Sequence, residues 1–108
     1  MDPKFIILAQ LAPGAAAETV LYAVAATEHI IANEIVVCNR SGAGASFRIS
    51  ISQLGAATST KDYFYYDTPI NANDTFANDI NLTLNATDVI RVYASSANLT
   101  FTLLGART

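Results

Sequence analysis

The residues that could do chemistry are few, and their spacing works against most reactions. There is one histidine, His29, and one cysteine, Cys38. Zinc centres take three or four His, Cys or carboxylate ligands, so this pair supplies too few nitrogen and sulfur donors for one. One histidine with no serine or cysteine partner placed by spacing makes no triad either. Cys38 closes the apolar run Ile35-Val36-Val37-Cys38 and reads as a small buried hydrophobe with no internal disulfide partner. Asp62 and Asp67 flank an aromatic stretch, but an extended chain holds them ~16 Å apart. Glycoside hydrolysis uses carboxyl pairs at about 5–9.5 Å. Asp74, Asp79 and Asp88 fall in or near turns, where aspartate caps the local backbone. Asn71, Asn73 and Asp74 offer oxygen donors of the kind calcium takes, yet no twelve-residue calcium loop frames them. Gly42-Ala43-Gly44 lacks the lysine and the helix of a phosphate loop. The residues therefore predict no catalytic group, no cofactor and no metal.

What remains is surface. Tyr63-Phe64-Tyr65-Tyr66 is a run of four aromatics, and a strand there puts Tyr63 and Tyr65 on one face and Phe64 and Tyr66 on the other. One pair should pack in the core; the other could meet a protein or a carbohydrate, because tyrosine joins a flat apolar ring to a polar tip. Phe5 and Ile7, in an apolar N-terminal segment, are the other candidate contacts, as parts of an arm or edge strand that pairs with a neighbour. Phe5, Ile7, Tyr63 and Tyr65 are thus the candidate protein-contact residues.

Composition agrees with a surface-driven role. The chain has 108 residues, 52% hydrophobic and 14% charged, against about 25% charged in ordinary soluble domains. A surface so poor in charge is expected to be covered in part by partners or by copies of itself. The net charge is −3 with no Lys/Arg block, so nucleic acid, which needs a basic stripe, is not an expected partner. The N-terminal apolar run is short and Asp2 offsets Lys4, so it reads as a strand or arm and not as a secretion signal. No apolar run approaches the ~18 residues that a membrane span needs. Without a secretion signal, the Asn-X-Thr tripeptides at Asn73, Asn81, Asn85 and Asn98 read as Asn/Thr-rich strand composition.

The elements that must position these residues are strands. Residues 34–54 form the clearest stretch: Phe47, Ile49 and Ile51 alternate with Arg48, Ser50 and Ser52, the mark of a strand with one buried face. With the preceding apolar run and an Asn-Arg-Ser-Gly loop, the stretch is expected to be a hairpin at the centre of an antiparallel sheet. Further strands are expected over residues 4–11, 19–24, 29–39, 61–67, 74–84, 89–94 and 99–103, with a bulge or turn at Ala32-Asn33-Glu34. About eight short strands with no convincing helix predict an all-β fold, an antiparallel β-sandwich of jelly-roll or immunoglobulin-like topology. A single domain over 1–108 is expected, with 1–13 as an N-terminal arm or edge strand.

Several stretches resemble a family of small β-sandwich virion structural proteins of tailed bacteriophages: Glu34-Ile35-Val36-Val37-Cys38-Asn39-Arg40-Ser41-Gly42, Phe47-Arg48-Ile49, residues 61–69, Asn73-Asp74-Thr75, and DVIRVYASSAN at 88–98. The resemblance implies a capsid decoration (cement) protein, made in the host cytoplasm and carried on the capsid surface of the virion. It implies the major capsid protein and further copies of the chain, as a homotrimer, for partners, with neither nucleic acid nor membrane. It carries no catalytic residue. Related modules in tails, baseplates and fibres imply the alternative, a receptor- or glycan-binding role.

Overall fold

The computed structural model describes residues 5–107. The order of elements is β1 (Ile6–Leu11), β2 (Thr19–Ala23), β3 (Ile30–Asn39), β4 (Ala45–Ser52), two 3-10 turns (Gln53–Gly55 and Thr60–Asp62), β5 (Tyr63–Ile70), β6 (Thr75–Leu84), β7 (Val89–Ala94) and β8 (Leu99–Arg107). The strands form two four-stranded sheets, ordered β1-β8-β3-β6 and β2-β7-β4-β5. The antiparallel pairs β1·β8, β2·β7, β3·β6 and β4·β5 are nested one inside the next. A long hairpin rolled over on itself gives this nesting, and it is the jelly roll. The fold class expected from the strand pattern is therefore the observed one, and the topology is now decided.

The core lies between the sheets. Phe101, Leu103, Ile35 and Val37 reach in from one sheet, and Phe47, Ile49, Ile90 and Val92 from the other. Phe47 sits at the aromatic centre, with ring centroids 5.1 Å from Phe76, 6.1 Å from Tyr65 and 6.2 Å from Phe101.

The expected hairpin over 34–54 does not form. β3 lies between β8 and β6, and β4 lies between β7 and β5 in the opposite sheet. Period-two alternation tells which face of a strand is buried, not which strand runs beside it. The link 40–44 is a crossover between sheets, and Asn39 holds it. This buried side chain donates from Nδ2 to the carbonyls of Ala43 (2.8 Å) and Asn71 (3.2 Å), and its Oδ1 accepts from the Ser41 backbone N–H at 3.0 Å.

One open alternative is resolved and one expectation changes. β3 is one continuous ten-residue strand, with the Ala32–Glu34 irregularity a bulge and not a turn. Cys38 is half-buried on the outer face, opposite the inward Val37, instead of filling the core. In a run of four apolar residues, nothing in the pattern says which parity faces in. Residues 1–4 of the expected arm lie outside the described residues. From Ile6 the chain is an edge strand of its own sandwich, paired to β8.

Candidate functional site

Of the sequence-chosen contact residues, Phe5 and Ile7 lie on one surface and Tyr63 on another, while Tyr65 turns inward. Phe5 and Ile7 are 54% and 55% exposed, and Ile6 beside them is also exposed. They lie along the free edge of β1. β2, with its exposed Val20, meets β1 at the rim where the edges of the two sheets come together.

Around the corner, the outer face of the β1-β8-β3-β6 sheet carries an uncharged strip, bounded on one side by the row Ile7, Leu104, Glu34 and Asp79. Register aligns Gln10, Thr102, Val36 and Ala77 in one cross-strand row, and Thr100, Cys38 and Thr75 in the next. Side chains at paired positions share a face. Seven neighbouring outward positions therefore carry no formal charge.

The tyrosines lie on the other sheet, and the structure separates the pair that the alternation had joined. Tyr65 turns to the core against Phe47 and Phe76, and its hydroxyl pairs with the Asn78 amide. Tyr63 instead shares the outer face with Tyr66, their rings edge-to-face at 4.8 Å. The cause is irregular register in β5. From Phe47↔Thr68 to Ile49↔Tyr65, β4 advances two residues and β5 three; from there to Ser50↔Tyr63, β4 advances one and β5 two. Each extra residue shifts the parity of those beyond it. Asp67 takes up part of the irregularity with φ +47°, a conformation that aspartate tolerates better than most residues.

Arg48 locks this arrangement. Its Nε donates to Asp67 Oδ1 at 2.6 Å and its Nη2 to Oδ2 at 3.3 Å. The guanidinium lies 4.2 Å from the Tyr66 ring centroid and 4.4 Å from that of Tyr93. The Asp67 hydrogen bonds hold the Arg48 proton more firmly than usual, against partial desolvation of the cation. Sequence reasoning missed Tyr66, Arg48 and Tyr93 as one cluster. The available signal was Asp67-Thr68-Pro69, since proline inside a strand run marks an edge strand or a bulge.

Residues 53–62 fold over the outer face of β4 and cover Ser50 and Ser52, both fully buried. Arg91 pins this segment through Nη1, which donates to Ser52 Oγ (3.1 Å), the Ala56 carbonyl (2.9 Å) and Thr58 Oγ1 (3.2 Å). Asp62 caps the second 3-10 turn by accepting from the Ser59 backbone N–H at 2.9 Å, and it pairs with Lys61 at 3.2 Å. The Ser59 N–H, followed by Lys61, holds the Asp62 carboxyl below its ordinary value despite its burial. Asp88 accepts from the backbone N–H groups of Leu54 and Asn85. Asp62, Asp67 and Asp88 are thus structural caps and a guanidinium partner, not an acid pair.

Tyr63, Tyr66 and residues 58–60 line an open concavity of about 520 Å³. Among the described residues no three His, Cys, Asp or Glu side chains gather to hold a metal ion. No helix among them is long and apolar enough to cross a membrane.

No protein-family model matches the chain, and no curated protein matches it in sequence. Solved structures do match in shape. A chain in the structure of infectious bursal disease virus, Gx strain, superposes with a TM-score of 0.51 at 12% identity, over 98% of this chain and 30% of that one. A chain of the Gt strain gives 0.51 at 13%, over 99% and 29%. What is shared is the fold. This chain spans under a third of the length of either matched chain.

Proposed function

We propose that the chain is a viral structural protein of the capsid decoration type. It binds the outer surface of a tailed-phage head as a homotrimer and stabilises the shell by bridging major capsid proteins. The observation that carries this reading is the strip of seven uncharged positions on the outer face of the β1-β8-β3-β6 sheet, beside the exposed Phe5, Ile6 and Ile7. A free, apolar strand edge invites pairing with other chains unless a partner covers it. The centre of a protein interface is depleted in charge in the same way. The jelly roll shared with chains of virus structures and the motif resemblance to small virion proteins support the reading.

The alternative is a tail, baseplate or fibre-associated module with receptor or glycan binding, and the exposed Phe64 and Tyr66 favour it. Copy number per particle separates the two. Hundreds of copies on the head, counted by cryo-electron microscopy or quantitative virion fractionation, support decoration. A handful at the tail overturns it.

A further inference from the structure

We propose that the concavity formed by Tyr63, Tyr66 and residues 58–60 is a binding subsite for a neutral saccharide ring. The proposal rests on the glycan-binding alternative above and names its site and ligand class; every residue it needs belongs to one domain, so its failure leaves the decoration reading standing.

The lining has the chemistry of a sugar. A pyranose presents a C–H face that packs on an aromatic ring and a rim of hydroxyls that both donate and accept. Here two tyrosines, edge-to-face at 4.8 Å, stand beside three consecutive hydroxyl residues, Thr58, Ser59 and Thr60. The volume, about 520 Å³, falls within the ~300–1,000 Å³ usual for small-molecule sites. Tyrosine supplies apolar area and a polar tip at low entropic cost.

Charge narrows the ligand class. None of the five lining residues carries a formal charge. Lys61, next in sequence, is matched by Asp62 at 3.2 Å. The Arg48 guanidinium occupies a face of the Tyr66 ring, 4.2 Å from its centroid, and is itself paired to Asp67. A cationic ligand would meet a ring already engaged by a cation, and an anion would find no unmatched positive partner. A neutral, hydroxylated ligand fits both conditions.

The site is also preorganised. Thr58 is held by Ser50 at 3.3 Å and by Arg91 at 3.2 Å, and Ser59 by Asp62. Tyr66 is brought to the Tyr63 side by the β5 irregularities and by Asp67, whose left-handed φ is held by the Arg48 fork. Bulges and strained backbone gather where a strand has to re-aim a side chain for binding. Fixing these groups in advance lowers the ordering cost that a weak ligand has to overcome.

The test is a titration of the ¹⁵N-labelled full chain with glucose, galactose, N-acetylglucosamine, lactose, maltotriose and chitotriose, followed by amide chemical shifts. Sialyllactose and glucose 6-sulfate serve as charged comparators. The expected result is saturable shifts confined to residues 58–66 from at least one neutral sugar. Tyr66→Ala should weaken that binding by about three- to tenfold or more, the range of a lost aromatic contact, and Tyr66→Phe should keep most of it. Phe5→Lys, on the opposite rim, should leave it unchanged and shows that the fold tolerates surface change. The proposal is overturned if no neutral sugar in the panel moves these amides, if only the charged comparators do, or if Tyr66→Ala binds as well as the parent.

Discussion

Gly105 in β8 lies directly against Ile31 in β3. A Cβ built on Gly105 would overlap the Ile31 carbonyl oxygen and come within 2.9 Å of Leu8 Cδ1. The position is hemmed in on both sides, since Gly105 pairs with Ile6 of β1 and Ala32 of β3 next to irregularities in both ladders. Neither strand can move away without breaking its ladder. Gly105→Ala should therefore cost about 2 kcal/mol or more and lower Tm by roughly 10 °C in a domain of this size. Gly42→Ala, where nothing lies within 4 Å, should stay within about 0.5 kcal/mol. Thermal denaturation followed by circular dichroism compares the two, and equal melting points would show that the β1-β8-β3 packing is looser than described.

Phe47 tests the core. It is fully buried, and its ring meets Phe76, Tyr65 and Phe101 across both sheets. Phe47→Ala should cost about 3–5 kcal/mol, because the three surrounding rings cannot collapse into the space without shifting strands. Set against the ~5–15 kcal/mol of a typical domain, that leaves a marginal fold. Phe47→Leu should lose roughly half as much. Urea midpoints measure both.

Much of this packing was legible in the sequence, within definite limits. The alternation of Phe47, Ile49 and Ile51, and of Leu99, Phe101 and Leu103, named residues that the structure buries. The same alternation could not say that β3 would pair with β6 and β8 instead of with β4, because strand neighbours are chosen by how the whole hairpin rolls up. Cys38 cannot be placed by pattern, because Ile35-Val36-Val37-Cys38 is apolar at every position and has no readable parity. The aromatic strand departs from simple alternation for a different reason. Two register shifts, one associated with a left-handed Asp67, turn Tyr65 inward and bring Tyr66 beside Tyr63. Aspartate adopts that conformation at little cost, so nothing in its identity announces it.

The Asn39 side chain replaces missing secondary structure in the β3–β4 crossover. Its donors satisfy the Ala43 and Asn71 carbonyls, and its oxygen satisfies the Ser41 N–H and hydroxyl. Asn39→Ala removes these partners from a buried position at once, so the expected loss is about 2–3 kcal/mol. It should also open the link 40–44 to protease. Limited proteolysis with mapped cleavage sites checks this; a resistant link would mean that other contacts hold the crossover.

Stability should fall at both ends of the pH scale. In the folded chain the Asp62 carboxyl is lowered, first by the Ser59 N–H, and that of Glu28 is lowered, first by the Ala25 N–H and then by the Tyr22 hydroxyl. A carboxyl whose folded value lies below its unfolded one stabilises above the unfolded value, and the contribution is lost as pH falls through the folded value. The urea midpoint should thus decline from about pH 5 downward, where unfolded carboxylates begin to protonate. Tyr22 is raised, first by burial and then by its bond to Glu28. Its contribution is present below about pH 10 and is lost as pH rises through the folded value. Asp62→Asn combined with Glu28→Gln should flatten the acid limb, and Tyr22→Phe the alkaline one.

Placing positive charge on the outer face of the β1-β8-β3-β6 sheet separates folding from assembly. Ile7 is 55% exposed and Thr102 is half-buried on the outer face, in register with Gln10 and Val36. Neither side chain points into the core, so Ile7→Lys and Thr102→Lys should each change the unfolding free energy of the isolated domain by no more than about 0.5 kcal/mol. If the face binds a capsid or a second copy, the same lysines must be desolvated at the interface. Burying an unpaired ammonium, or bending the partner away from it, should weaken binding at least about tenfold. Sedimentation velocity reads self-association, and co-sedimentation with particles lacking the protein reads shell binding. Both variants should remain folded yet fail in at least one assay. Full association by both would remove this face from the interface and leave the aromatic side of the sandwich as the surface that meets a partner.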